Sequence, residues 1–541
     1  MNPLRLGPLT AFIIVCLVFL LAGCWLRAIY APEWMVLDTT QQPPAMRPWA
    51  VEADCYSQLA RVQRILHGQG LIQNHFTVEN WPEGLVPSTT APFDYVILLL
   101  YAPLALITTH PLDWAGALVS PALWVGLVVF WMVVRSREFT LAGRALLVIG
   151  SAALPALIWA TAFGRPRHQS LIFALMAMGL FAEYERWQIE LTPKRAWNIF
   201  AGMVWGLACW TSLFEPTVVV VALIAFNLIV RHRESFAFLA GFGVVLLLGV
   251  ALEGPHLWEN IFNIYSLTPE YRQYALNWLG TIAEVHPVSL SGFVQQCTNL
   301  SFIVILPFVA WRLLREPGHR QTDLLLVLLT VLLALLTFAQ KRWMYYANLT
   351  ELMVLVRFYQ IAPQRWTRLA VVALFLLGAV YDNLAQIGGG LNSASQPSLD
   401  CARISRSIDG TGGIMAPWWI SPGLLYFSGQ PIVSGSSHCG ISGIVASAQF
   451  FSATSWADSE RILKERKVRW IVTWDNPVFV YPLLNNSRQI LGQPTYSDDD
   501  RSLAERTVAE VLVEDSDVPT WIRLRNVTPQ LKLYEYVPDT R

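Results

Sequence analysis

Long apolar runs recur along most of this 541-residue chain. Each run is about 18 to 20 residues long, which is the length of helix that crosses the hydrocarbon core of a bilayer. Only 14% of the residues are charged, whereas soluble domains carry about 25%. The pattern predicts a polytopic α-helical membrane protein with about eleven spans, near residues 9–29, 114–134, 145–163, 169–184, 196–214, 216–230, 236–253, 300–314, 323–340, 343–362 and 369–386.

One further apolar run, residues 93–108, is long enough to be mistaken for a span, but Pro92, Asp94 and Pro103 interrupt it. Loops rich in Lys and Arg lie on the cytoplasmic side of a membrane. If residues 93–108 lie at the membrane interface, the basic loops all lie on the cytoplasmic side. If these residues cross the membrane, most of the basic loops lie on the outer side. We therefore predict that the loops 30–113 and 254–299 face the non-cytoplasmic compartment, which in a bacterium is the periplasmic side of the inner membrane.

The composition changes after the last span. Residues 387–400 are rich in Gly, Ser and Asn and read as a linker. The remaining residues, 401–541, show short apolar runs separated by turns, with strands expected near 414–419, 432–434 and 468–474 and a helix over 455–467 that Ser455 and Asp458 would cap. We predict a small periplasmic α/β domain there, following a transmembrane domain over residues 1–386.

Acidic residues begin an amphipathic helix in the first outer loop. Glu52 and Asp54 stand two residues apart beside the membrane surface, and such carboxylates suit a divalent cation that carries a phosphate. The alternative is that both residues simply favour a helix N-terminus.

Basic residues lie at the predicted outer ends of several spans, against the usual trend. Arg165, Arg167 and His168 join two spans, and Arg342 opens another. Guanidinium groups there can hold a phosphate or pyrophosphate by charge-assisted hydrogen bonds. Lipid headgroup anchoring, or ion pairing with another loop, is the alternative. Glu215 lies in a turn between two spans, where a functional role and a simple turn are equally good interpretations.

The C-terminal residues contain two candidate binding elements. Trp418 and Trp419 could form an apolar wall for an acceptor, although core packing is an equally good interpretation. The Gly/Ser-rich turn that ends in His438 could donate hydrogen bonds to a phosphate. Net charge is zero, so bulk charge does not indicate a nucleic-acid partner.

Taken in order, these clusters resemble the catalytic subunit of oligosaccharyltransferase, in the GT-C class of membrane glycosyltransferases. Asp54 matches that family's first-loop metal-binding aspartate, and the sequence TIAE ending at Glu284 matches its T-I-x-E motif. Arg342, the pair Trp418-Trp419 and the turn before His438 match later family features. The resemblance implies transfer of a sugar or oligosaccharide from a polyprenyl-phosphate-linked donor in the membrane lipid to an acceptor protein or glycan.

The resemblance also implies roles for single residues. Asp54 and Glu284 would be catalytic, and Glu52, Asp54 and Glu284 would hold a divalent cation, Mg²⁺ or Mn²⁺. The donor phosphate would be bound by Arg165, Arg167, His168, Arg342 and His438, and the acceptor by Trp418 and Trp419.

Two positions depart from the family pattern. Arg167 and Gln169 stand where the family places metal-binding acids, so Arg165 and Arg167 could replace the cation. Ile420 or Ser421 stands where the Trp-Trp-Asp aspartate would read the acceptor hydroxyl. The alternative function is a catalytically degenerate relative that binds lipid-linked glycan or assists a glycan assembly complex.

Overall fold

The structure is a computed structural model, and it describes residues 7–29, 35–38, 45–50, 52–87, 89–187, 194–230, 235–254, 266–290, 293, 300–315, 320–388, 396–496 and 506–538. The chain forms two compact units. The first unit comprises Met1–Pro32, Leu118–Ala251 and Glu284–Asn392, and the second comprises Glu33–Ala117, Leu252–Ala283 and Ser393–Arg541.

Helices make up most of the described chain. In chain order they are α1 Pro8–Ala28, α2 Ala53–Leu66, α3 Pro92–Leu104, α4 Pro111–Val133, α5 Leu141–Ala153, α6 Pro155–Ala160, α7 His168–Arg186, α8 Lys194–Thr211, α9 Glu215–Ile229, α10 Phe236–Glu253, α11 Pro269–Leu279, α12 Leu300–Arg315, α13 Arg320–Ala339, α14 Met344–Ile361, α15 Arg365–Gly388, α16 Gln396–Ser405, α17 Ser421–Ser428, α18 Ile441–Ser452, α19 Trp456–Glu465, α20 Val480–Ile490 and α21 Val508–Glu514.

The apolar helices confirm a multi-pass membrane protein. Among the described residues, α1, α4, α10 and residues Gln321–Ala339 of α13 are long and apolar enough to cross a bilayer, and α3, α5 and α9 are shorter apolar helices. The other predicted spans lie on α5 to α8, α12, α14 and α15. Eleven spans stays a prediction.

The span predicted over 145–163 is wrong as one continuous helix. Helix α5 ends at Ala153, Leu154 is extended with ψ 121°, and Pro155 begins the short helix α6. Proline has no backbone N–H and its ring collides with the preceding turn, so a helix breaks in front of it. The break leaves the carbonyl of Ser151 without its usual intrahelical donor.

The described part of the second unit contains two small sheets. Strands β1 Met35–Asp38 and β2 Ala45–Pro48 form an antiparallel hairpin. The larger sheet has the order β3-β4-β6-β5, with β3 Gly413–Met415 parallel to β4 Val468–Trp474. The other neighbours, β4 with β6 Leu531–Tyr536 and β6 with β5 Ile522–Val527, are antiparallel. Every residue of β6 is buried, so this strand lies at the centre of the domain's core.

Several expectations for this region need correction. The strand predicted over 414–419 ends at Met415, because Pro417 starts a turn. Helix α16 begins inside the predicted linker 387–400. Ser455 does precede α19, but its side chain makes no capping hydrogen bond. A full capping box is instead formed by Thr507 and Glu510 at the start of α21.

The predicted amphipathic helix of the first outer loop is confirmed as α2. Cys55, Tyr56, Leu59 and Val62 are buried on one face, and the Tyr56 ring lies 5.6 Å from that of Tyr426 in α17. Helix α11, from the later loop, packs through Ala275 and Trp278 against α18 and α20. Both loops therefore fold with the C-terminal residues into the second unit.

Candidate active site

Two arginines and a glutamate form an ion-pair cluster in the first unit. Arg167 donates to Glu284 through both ends of its guanidinium, with Nη1–Oε1 at 2.6 Å and Nη2–Oε2 at 3.2 Å. Arg165 Nη2 lies 3.8 Å from the same Oε1. Bidentate pairing of this kind fixes both the position and the orientation of the carboxylate.

The loop that bears both arginines is held by hydrogen bonds to its backbone carbonyls. Gly164 adopts a positive φ of 77°, which permits the turn after α6. The hydroxyl of Ser170 donates to the Arg167 carbonyl at 2.8 Å, and Ser120 donates to the Arg165 carbonyl. The two guanidinium groups are therefore presented from a closed turn at the start of α7.

A second ion pair lies at the start of α9. Arg342 Nη2 donates to Glu215 Oε1, and the Ser212 hydroxyl donates to Glu215 Oε2 at 2.8 Å. The Glu215 side chain is only 1% exposed, so its charge depends on these partners. His168 also interacts electrostatically with Glu215.

Backbone pairing connects the two ion pairs. The Arg342 N–H donates to the Glu284 carbonyl at 3.0 Å, and the Lys341 N–H donates to the His286 carbonyl at 3.2 Å. These two backbone hydrogen bonds place Glu284 beside Arg342. The predicted residues Arg165, Arg167, Glu284 and Arg342 come together, and Glu215, which has equally good structural and functional interpretations from sequence, joins them.

The cluster has an excess of positive charge, because three arginines face two glutamates. Burial raises the pKa of Glu284, but the charges of Arg167 and Arg165 outweigh burial and lower that pKa below its ordinary value. Burial lowers the pKa of Arg342, and Glu215 outweighs burial and raises that pKa. Both groups are therefore charged at neutral pH.

Buried polar atoms with no hydrogen-bond partner in the described part of the chain include Nε of Arg342 and the hydroxyl of Tyr346. Tyr346 lies within electrostatic range of Glu215, Arg342 and Glu284. Both atoms can donate a hydrogen bond to an oxyanion.

The residues predicted to hold a divalent cation do not form a metal centre in the described residues, which contain no group of three or more His, Cys, Asp and Glu side chains suited to a metal. Asp54 is exposed and Glu52 half-buried. The Glu284 carboxylate already has two guanidinium partners, and a cation there would face their charge. Cation binding by Glu52, Asp54 and Glu284 stays a prediction.

The second unit contains a buried acid that the sequence analysis missed. Glu79 is 3% exposed, and its Oε1 accepts the Ser437 N–H at 3.3 Å. Gly435 lies against this carboxylate, where an added Cβ would stand 2.1 Å from Oε1. Burial raises the pKa of Glu79 to about 7; the charge of Asp54 adds to the increase, and the Ser437 N–H opposes it.

The turn before His438 therefore folds onto the first outer loop. Ser436 and Ser57 of α2 share a hydrogen bond of 3.1 Å, and Asn80 accepts the Gly443 N–H at 2.8 Å. His438 begins a short 3₁₀ helix and is half-buried. The structure thus assigns Asp54, Glu79 and His438 to the second unit, while the arginine cluster belongs to the first.

Both residues of the tryptophan pair are half-buried, and acceptor binding by them stays a prediction. Trp418 lies edge-on to Trp278 at 5.6 Å and packs against the cluster of α11, α18 and α20. Its indole N–H donates to Asn486 at 3.0 Å. Trp419 packs edge-on to Trp418 at 5.6 Å. Core packing, one of the two interpretations of this pair, is what the structure describes for Trp418.

The position that would correspond to the aspartate of the Trp-Trp-Asp motif is buried. Ile420 is 5% exposed and Ser421 is fully buried. The Ser421 hydroxyl donates to the carbonyls of Ala416 and Pro417 at 3.3 and 3.0 Å. Neither residue presents a carboxylate or a free acceptor to an incoming hydroxyl.

No protein-family model and no curated protein matches the sequence, but solved structures do. The archaeal oligosaccharyltransferase AglB from Archaeoglobus fulgidus, in complex with an inhibitory peptide and a dolichol-phosphate, is similar with a TM-score of 0.62 at 13% identity, over 89% of this chain and 72% of that one. The apo form of an A. fulgidus oligosaccharyltransferase gives 0.63 at 12% identity, over 88% and 72%.

A second enzyme type has the same fold. ArnT from Cupriavidus metallidurans, bound to undecaprenyl phosphate, matches over 98% of both chains with a TM-score of 0.53 at 10% identity. Identities this low establish architecture and not activity. The chain therefore has the GT-C fold of these membrane glycosyltransferases.

Proposed function

We propose that this protein is a membrane glycosyltransferase that transfers a sugar or oligosaccharide from a polyprenyl-phosphate-linked donor to an acceptor on the non-cytoplasmic face. In a bacterium this face is the periplasmic side of the inner membrane. The acceptor is a protein or a glycan, and the donor enters from the membrane lipid. The proposal includes the periplasmic location of the C-terminal residues.

The observation that supports this function best is the convergence of Arg165, Arg167 and Arg342 around Glu284 and Glu215. Three guanidinium groups and the hydroxyl of Tyr346, which has no partner among the described residues, form a site for an oxyanion at the end of apolar helices. AglB and ArnT, which share the fold, bind dolichol-phosphate and undecaprenyl phosphate. A lipid phosphate is the ligand whose charge and apolar tail suit both features.

In the proposed reaction, the bond between the sugar carbon and the donor phosphate oxygen breaks while the acceptor atom bonds to that carbon. Negative charge grows on the departing phosphate, and preorganised guanidinium groups stabilise it. The acceptor loses a proton to a carboxylate. Asp54 and Glu284 are the candidates for this base, as the resemblance implies.

Glu284 can serve as a base only after it leaves Arg167. While paired, its low pKa makes it a poor proton acceptor. A donor phosphate that takes the Arg167 fork releases the carboxylate and offsets part of the positive charge that lowered its pKa. Donor binding would thus activate the base, and acceptor chemistry would follow donor binding in time.

The burial of Ile420 and Ser421 bears on which acceptor the protein uses. Because Ile420 and Ser421 are buried and Ser421 is bonded to its own backbone, we propose that acceptor choice does not depend on reading the hydroxyl of an Asn-x-Ser/Thr sequence. Once released, the Glu284 carboxylate could also bind a divalent cation with Glu52 and Asp54, as the resemblance implies.

The alternative, a non-catalytic relative that binds lipid-linked glycan, is favoured by the same contact. If Glu284 stays on Arg167 when the phosphate binds, the site has an anion receptor but lacks this base. Turnover of a radiolabelled polyprenyl-linked sugar by the purified full chain separates the two functions.

Arg167→Lys is the variant that tests the phosphate role. Lysine keeps the charge but lacks the planar fork, so binding of undecaprenyl phosphate should weaken about tenfold. Arg135→Lys, at an exposed position of the same unit, is the matched control and should bind normally. Equal affinity in wild type and Arg167→Lys would refute the proposed phosphate contact, and binding without any turnover would favour the non-catalytic relative.

A further inference from the structure

A buried arginine lies in the last turn of the first apolar helix. Arg27 is 1% exposed, and its guanidinium stacks 3.7 Å from the centre of the Trp124 ring. Among the described residues no acid forms an ion pair with it. Charged residues within spans are costly and rarely kept without a task, so the contacts of Arg27 need an explanation.

The partners of Arg27 lie at the break between α5 and α6. Its Nη2 donates to the carbonyl of Ser151 at 3.0 Å and more weakly to that of Leu157 at 3.4 Å. In a continuous helix, the N–H of residue 155 would donate to Ser151. Pro155 has no N–H, so the Arg27 side chain supplies the hydrogen bond that the proline removes.

The Leu157 carbonyl also lacks its backbone donor and accepts hydrogen bonds from side chains instead. The Thr161 N–H donates to the Ile158 carbonyl at 3.2 Å and not to the Leu157 carbonyl, which would be its acceptor in an α-helix. The Thr161 hydroxyl donates to that Leu157 carbonyl at 2.7 Å and accepts from Arg27 Nε at 2.8 Å. Arg27 therefore binds the last turn of α5 as well as the C-terminal part of α6.

Helix α6 leads directly to the arginine cluster. The Phe163 N–H, two residues before Arg165, donates to the backbone carbonyl of Arg27 at 3.2 Å. Arg165 Nη1 donates to the carbonyl of Trp159 in α6 at 3.0 Å, and its guanidinium lies 4.3 Å from the centre of that indole ring. The position of Arg165 thus depends on where α6 lies.

We propose that Arg27 is a positioning residue for the phosphate site: it stabilises the broken helix that places Arg165 and its loop. This inference rests on the proposed function for the identity of the ligand, a polyprenyl phosphate. Arg27 touches no reacting atom in this arrangement and acts through α6.

The experiment compares wild type, Arg27→Gln, Pro155→Ala and the double variant as full chains in detergent, with undecaprenyl phosphate as the probe. Arg27→Gln should lower both the melting temperature and the affinity, the latter about fivefold or more. Alanine at 155 gives Ser151 a backbone donor but lets α5 run on into α6. The double variant should therefore regain thermal stability without regaining affinity.

Recovery of both quantities in the double variant would show that Arg27 only satisfies a carbonyl, and it would overturn the inference. Wild-type affinity in Arg27→Gln would do the same. If Arg27→Gln does not fold, Thr161→Val replaces it: this isosteric change frees Nε and should weaken binding about threefold to fivefold, and unchanged binding would overturn the inference. Failure of wild type itself to bind the probe would refute the proposed function, and the inference with it.

Discussion

Replacing Glu284 by glutamine should increase the affinity of the protein for a lipid phosphate while it decreases turnover. The carboxylate now occupies both donors of Arg167, at 2.6 and 3.2 Å, so a phosphate must displace it. An amide is neutral and competes far less well for a guanidinium. Loss of the competitor should therefore appear as tighter binding.

The size of the effect follows from the geometry. Charge-assisted hydrogen bonds contribute about 1.5–3 kcal/mol each, but the Glu284 side chain is 25% exposed and that of Arg167 11%, so solvent screening reduces the gain. We expect about 1–2 kcal/mol, which is about fivefold to thirtyfold in the dissociation constant. Turnover should fall by at least about a hundredfold if Glu284 is the base.

The assay is titration of the purified full chain with undecaprenyl phosphate at one fixed ionic strength, followed by turnover of a radiolabelled donor. Glu465→Gln is the matched control, because Glu465 also pairs with an arginine but is exposed. The control should change neither quantity. Unchanged or weaker affinity in Glu284→Gln would refute the competition between carboxylate and phosphate.

Other expected outcomes test different parts of the molecule. The pKa of Glu79 is about 7, above its ordinary 4.5, so the free energy of unfolding should fall by up to about 3 kcal/mol as pH rises from 4.5 to 7. Glu79→Gln should abolish that part of the decline in melting temperature. Parallel curves of melting temperature against pH for wild type and variant would contradict this expectation. Arg342→Lys should weaken lipid phosphate binding about fivefold, and unchanged affinity would exclude its fork from the site. Single cysteines at the exposed positions Ser289 and Thr454, in a cysteine-free background, should both react with an impermeant reagent in intact spheroplasts; protection of both until lysis would reverse the topology.

Hydropathy predicted the helices well because each long apolar run has one stable solution in a bilayer, where backbone groups must bond within the segment. It could not show the break at Pro155, since apolar residues continue on both sides of it. The proline was the available signal, but the compensating donor, Arg27, is more than a hundred residues away in the chain. Strands β5 and β6 were missed although apolar residues alternate in both with polar ones such as Arg523 and Lys532, which is the signal of a strand.

The arginine cluster could be predicted because its members lie at the ends of apolar runs on one predicted side. The carboxylates that pair with these arginines could not be predicted. Glu284 was interpreted as a metal ligand on its motif alone, and the pairing with Arg167 depends on a tertiary contact between residues 117 apart. Glu79 had no motif around it. Its significance comes from burial against Gly435 and Ser437, which no local pattern indicates.

The contact between Glu79 and Ser437 has a consequence for how the protein is made. The two residues are 358 apart in the chain, and a chain grows at about 5–20 residues per second. The first outer loop must therefore wait tens of seconds, at such rates, before the turn that covers its acidic side chain is synthesised. During this interval the loop presents an unfinished surface to chaperones and proteases, and any early termination before residue 437 leaves it permanently in that state.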